Sequence, residues 1–156
     1  MRNLVFIALL ASAGCAATYL PPEAIAPQIS ISVSAPKTAV LRAAKQILVA
    51  DGFQITGSDD EAGVISTAPR DLRIGPEQAN CGTTMGLDYL RDVRTSTRVG
   101  MGVLVHDGRL TARATIEGAY RLGDVTQDIT LTCVSRGILE QIILEKIAVA
   151  LGMPKP

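Results

Sequence analysis

The chain has 156 residues, enough for one domain of ordinary size with a short attached segment and too few for two. Lys and Arg number 15 against 15 Asp and Glu, so the basic excess of a dedicated nucleic-acid binder is missing. Tryptophan is absent, Tyr and Phe number 3 and 2, and His numbers 1; this excludes aromatic stacking platforms and multi-histidine metal sites and leaves His106 as the sole imidazole for acid/base work.

At the start of the chain, a positive charge at Arg2 precedes a solid apolar run from Leu4 to Leu10, and small residues then lead to Ala13-Gly14-Cys15. That order is the order of a signal peptide over residues 1–14, and the run falls well short of the roughly 20 residues that a membrane-crossing helix needs. Ser12-Ala13-Gly14-Cys15 resembles the lipobox of bacterial lipoproteins, with Ser12 where leucine is commoner. The resemblance implies that Cys15 takes a diacylglyceryl group and begins the mature chain, anchored by acyl chains at about 0.8 kcal/mol per buried methylene. Ala16 in place of Asp after that cysteine implies, by the same resemblance, the outer membrane. Residues 15–28 include Pro21, Pro22 and Pro27 and show no apolar period. They read as an extended tether, reaching up to about 40 Å at roughly 3.1 Å per residue.

Residues 29–153 read as a single domain. Ile29 to Ser34 alternates apolar and polar residues, which predicts a half-buried strand. Pro36 opens a helix over 36–51, with Val40, Ala43, Ala44, Ile47 and Ala50 at helical spacing, Ser34 placed to cap it and Gly52 to stop it. Phe53–Thr56 and Val64–Thr67 form a predicted hairpin around the acidic turn 57–63. The stretch 70–80 has no clean period and reads as a long loop. Asp107-Gly108 is the pair a two-residue hairpin turn requires, and closing it fixes the register across 97–117. Val105 then faces Leu110, Val103 Ala112, Met101 Ala114 and Val99 Ile116 on one side, while Arg98 faces Glu117 and Gly102 faces Arg113 on the other. Ile129, Leu131 and Cys133 alternate along a further strand, and Ile138, Leu139, Ile142, Ile143, Ile147, Ala150 and Leu151 give a closing helix an apolar face, ended by Gly152 and Pro154. The expected fold is α+β: an antiparallel sheet of about five to six strands with two helices on one face, in the order β-α-β-β-loop-β-β-β-α.

With Cys15 committed to lipid, Cys81 and Cys133 remain as a pair in an oxidising compartment, where a disulfide between them is the expected state. The alternatives are two free thiols, or a metal site with His106 that two thiols and one imidazole would leave incomplete. No Cys-x-x-Cys pair supports a redox enzyme, and no Gly-x-Ser-x-Gly elbow supports a nucleophile. Asp59-Asp60-Glu61 reads as a solvated turn, because adjacent carboxylates point in different directions. Gly100-Met101-Gly102 reads as close strand packing rather than a phosphate loop. Arg91, Arg94 and Arg98 alternate with Asp88 and Asp92 as a mixed charged face. No catalytic, cofactor-binding or metal-binding set is expected.

The stretch from Lys37 to Thr67, with a helix ending Ala50-Asp51-Gly52-Phe53 and a hairpin whose turn holds Asp59-Asp60-Glu61, faintly resembles the repeat domain of BamC-like outer-membrane assembly lipoproteins. The resemblance covers about a third of the mature chain and carries no functional residue across. It implies a helix-covered antiparallel sheet acting as a non-enzymatic partner. The expected function is that of a lipid-anchored periplasmic accessory or scaffold lipoprotein of the outer membrane that binds an envelope protein. The alternative is a carrier holding a lipid or another hydrophobic ligand between helices and sheet.

Overall fold

The computed structural model describes residues 19–22, 26–123 and 128–154. The signal peptide expected over 1–14 and the lipid-bearing Cys15 lie outside those residues.

The spine is one long hairpin, β9 (Thr95–His106) and β10 (Arg109–Tyr120), joined by Asp107-Gly108. Both turn residues have positive φ, 48° at Asp107 and 68° at Gly108, as this turn demands. Val105 pairs with Leu110, Val103 with Ala112, Met101 with Ala114, Val99 with Ile116, Arg98 with Glu117 and Gly102 with Arg113, in the register that the turn predicts. The odd residues of β9 and the even residues of β10 are buried along their whole length, so one face meets the core.

Shorter strands attach to the two outer edges of this hairpin. β10 pairs with β2 (Ile29–Ser32) near the turn and with β11 (Ile129–Thr132) near the open end. β9 pairs with β4 (Val64–Thr67) near the turn and with β5 (Arg70–Asp71) near the open end, and β3 (Ile55–Asp59) lies outside β4. This sheet is fully antiparallel and has seven strands, more than the five to six expected. Two small sheets accompany it: β12 (Val134–Ser135) with β6 (Ala79–Asn80), and β1 (Tyr19–Leu20), β7 (Thr83–Thr84) and β8 (Leu87–Asp88).

The stretch 70–80 is therefore not a plain loop, since it carries β5 and β6. Its strands are two residues long, too short to leave a period in the sequence. Nor is the whole of 15–28 a free tether. Tyr19 and Leu20 pair with Thr84 and Thr83, and a Cβ added at Gly137 would lie 3.1 Å from Pro27 Cγ. The first hairpin extends to Asp59 through a bulge between Ile55 and Gly57, and Phe53 is buried ahead of it with the Arg70 guanidinium 4.6 Å over its ring. The last predicted strand breaks at Cys133, which a disulfide pulls toward Cys81.

Helices α1 (Lys37–Ala50) and α2 (Ile138–Ala150) pack on each other and on the buried face. Ser34 does not cap α1; Pro36 occupies that place without a side-chain bond. In α1 Leu41 and Leu48 are buried while Ala50 is exposed. In α2 the stripe also lies to one side of the predicted one: Glu140, Ile143, Leu144 and Ile147 face inward, and Ile138 and Ile142 are more than a third exposed. Among the described residues no helix is long and apolar enough to cross a membrane.

Glu140 is wholly buried because it completes the sheet. Between the segments of β10 bound by β2 and by β11, the Ala114 amide donates to Glu140 Oε1 at 3.0 Å. Ser135 Oγ donates to Oε2 at 2.7 Å and accepts from the Gly137 amide at 3.1 Å. Replacing Glu140 with Leu leaves a buried amide and a buried hydroxyl without partners and should cost about 2–4 kcal/mol in urea unfolding. Glu140→Gln, which keeps an acceptor for the Ala114 amide and gains a donor for Ser135, should cost about 1 kcal/mol.

Candidate functional site

The strand alternation that buries one face of the sheet leaves the other, among the described residues, without a covering helix. It carries Ser30, Ser32, Ser66, Thr111, Thr115 and Leu104, and the sequence places arginines at 98, 109 and 113 on the same side. Arg98 is neutralised: its guanidinium lies 3.3 Å from Glu117, 3.7 Å from Asp71 and 3.1 Å from the Pro69 carbonyl. Arg109 donates to Ser30 Oγ, at 3.2 Å. Among the described residues, neither Arg109 nor Arg113 has a carboxylate partner.

A cleft of about 540 Å³ opens on this face between β4, β9 and β10, with Ala26, Pro27 and Gln28 as its rim. Gly102 exposes backbone on its floor, Val64 and Leu104 give apolar walls, and Ser66, Thr111 and Arg113 supply polar groups. Val64 and Leu104, paired across the strands, are 37 % and 41 % exposed. Gly100 lies on the same face, where a Cβ would make only ordinary contacts, 3.5 Å from the Thr67 carbonyl and 3.7 Å from Pro69, so space does not require a glycine there. A shallower groove of about 460 Å³ runs over the outer side of the helices beside Ile47, Ile142 and Val149.

The sequence-predicted residues fall apart spatially. His106 lies at the turn end of the hairpin, 72 % exposed, with Nε2 3.0 Å from Asp107. The acidic turn is spent on structure: Asp59 accepts from the Ala62 amide at 2.8 Å, Asp60 pairs with Lys45 at 2.6 Å, and the Glu61 carbonyl accepts from Lys37. Among the described residues no group of three His, Cys, Asp or Glu is placed to hold a metal ion.

At the opposite, open end of the hairpin Cys81 and Cys133 form a disulfide, with Cα atoms 4.0 Å apart. It lies over Gly118, where a Cβ would come within 2.7 Å of Cys133 Sγ, so this strand position admits no side chain without displacing the bridge. Beside it stand all three tyrosines. Tyr89 packs edge-on against Tyr19 and Tyr120, with centroids 5.7 and 4.9 Å apart. Tyr19 Oη also accepts from the Thr132 amide at 2.9 Å. Sequence reasoning missed this cluster, although rare aromatics gathering beside a cysteine bridge are a usable signal.

Asp92 completes that end. The Arg94 guanidinium donates to both of its oxygens, as near as 2.6 Å, the Arg94 amide to Oδ1 at 3.0 Å and Tyr120 Oη to Oδ2 at 3.2 Å. Arg94 above all holds the Asp92 carboxyl far below the usual carboxylate range, and burial followed by the Asp92 bond raises the Tyr120 phenol.

No family model matches the chain, and no curated protein matches it. A crystal structure of a TBP-like protein from Parabacteroides distasonis ATCC 8503 is similar at TM-score 0.43 with 13 % identity, over 67 % of this chain and 62 % of that one. The matched region is therefore less than two thirds of that protein's length.

Two outcomes follow from this end of the molecule. Reducing the disulfide should lower stability by up to about 4 kcal/mol, read as a fall in urea midpoint with dithiothreitol that a Cys81→Ser/Cys133→Ser double variant no longer shows. A depressed carboxyl contributes fully above its unfolded pKa and loses that contribution as pH falls toward its folded value. Urea midpoints between about pH 5 and pH 2 should therefore fall less steeply for Asp92→Asn than for the unaltered chain.

Proposed function

We propose that this chain is a lipid-anchored accessory lipoprotein of the bacterial envelope, non-enzymatic, held at the outer membrane through Cys15 with its domain in the periplasm. Its uncovered sheet face docks an extended segment of an envelope protein. The charge, apolar run and small-residue order of 1–15 support the address. The Cys81–Cys133 bridge is in keeping with an oxidising compartment. The likeness of residues 37–67 to BamC-like domains supports an accessory role.

One observation carries the docking reading: the cleft on a sheet face left without helices, where Arg113 has no carboxylate partner among the described residues. An extended segment bearing an acidic side chain fits it, since apolar walls, bare backbone at Gly102 and the Arg113 guanidinium, without a carboxylate among the described residues, meet there. A carrier would need room between helices and sheet. That interface holds Val40, Ala44, Leu48, Ile65, Val99, Leu110 and Ile147, none of them measurably exposed, and the two clefts described above open elsewhere.

Two measurements test the proposal. Cys15→Ala should move the protein from the membrane to the soluble periplasmic fraction, and unchanged detergent-dependent fractionation would contradict the anchor. A photocrosslinker at Leu104 in intact cells should give a discrete protein adduct that Arg113→Glu removes without changing the urea midpoint. An adduct indifferent to Arg113 would count against the cleft.

A further inference from the structure

The most exposed large apolar side chains include Met85 at 86 % and Leu87 at 71 %, both at the turn between β7 and β8. Met85 has φ 50° and Gly86 φ 79°. The first of these is a left-handed position that favours Asn, Asp or Gly, and a long apolar side chain there gains nothing from the turn. Nor does the domain bury it. The domain's own packing gives no reason for a methionine in a disfavoured backbone conformation, facing water.

The path of the chain says what lies there. β1 runs antiparallel to β7, with Leu20 opposite Thr83 and Tyr19 opposite Thr84. Followed backwards from Leu20 to Tyr19, the chain thus heads for the end of the small sheet that carries the Met85–Gly86 turn. Only residues 16–18 separate Tyr19 from Cys15, and an extended chain covers no more than about 14 Å in that interval. Tyr19 is itself fixed, through its bond with Thr132 and its ring against Tyr89. The Cys81–Cys133 bridge holds β7 nearby.

We infer that the β7–β8 turn rests on the bilayer surface, with Met85 and Leu87 entering the headgroup boundary beside the acyl chains on Cys15. This rests on the lipid anchor proposed above. The small sheet then acts as a foot that sets how the domain stands, and the acyl chains do not hold it on a free leash. A lipid surface is preferred to a protein here because the reach from Cys15 brings lipid to this end whatever else is present. The charges around the turn, Asp88, Arg91, Asp92 and Arg94, give no net attraction for a charged partner.

The test uses the purified lipidated full chain in phosphatidylethanolamine–phosphatidylglycerol vesicles. An environment-sensitive fluorophore is placed on Met85→Cys or, as the control at the far end of the hairpin, on His106→Cys. Nitroxide-bearing lipids should quench position 85 by roughly half or more and leave position 106 unaffected, as for a side chain held about 5–10 Å into the headgroup boundary. Leu87→Cys serves as a second site should the Met85 variant misfold. If the chain sediments with vesicles but positions 85 and 87 are quenched no more than 106, the foot is refuted while the anchor stands. A protein adduct at 85 in cells together with absent quenching would likewise overturn it. If the unaltered chain stays in the supernatant as Cys15→Ala does, the anchor fails and the foot fails with it.

Discussion

Every other element takes its position from the register of the β9–β10 hairpin. A slip of one residue would turn Val99, Met101, Val103 and Val105 outward and bring Arg98 and His106 into the core, because side chains alternate strictly along a strand. The short turn prevents this. Asp107 and Gly108 supply two left-handed residues in succession, the backbone whose twist matches the flanking strands. Helices α1 and α2 then have one apolar surface to cover, and the strands at the edges need only match a ladder already set.

Those edge strands are short, and each edge of the hairpin is shared by two of them. On the β9 side the break falls between β4 and β5, where Pro69 turns the chain across Gly100. On the β10 side it falls at Ala114, and a carboxylate from α2 fills it. Glu140 thereby ties the last helix to the middle of the sheet with a direction that apolar packing alone would not specify. The core can afford one such group because both of its oxygens are bonded.

Much of this was legible in the sequence, and the reason is locality. Turn chemistry and alternation act between neighbours, so Asp107-Gly108 and the run from Val99 to Ile116 announce their pairings, and the two helices announce theirs through spacing. The segment 70–94 resisted reading because its strands are two residues long and its order comes from distant partners: Cys133, Tyr120 and Tyr19. Glu140 was readable in retrospect as the one carboxylate in line with Ile143, Leu144 and Ile147. The outer cleft was not, since it depends on where Ala26–Gln28 pass relative to β4, and no local pattern encodes that.

The two ends of the hairpin are consequently held by different physics. At the turn end, stability comes from the covered sheet: apolar side chains of both helices against Val103, Val105 and Leu110. At the open end, about 40 Å away along strands of 12 residues, strands too short to bury a core are joined by a covalent bridge, three tyrosine rings packed edge to face and the Asp92–Arg94 pair. The bridge and the Asp92–Arg94 pair thus supply at this end the order that apolar burial supplies at the other.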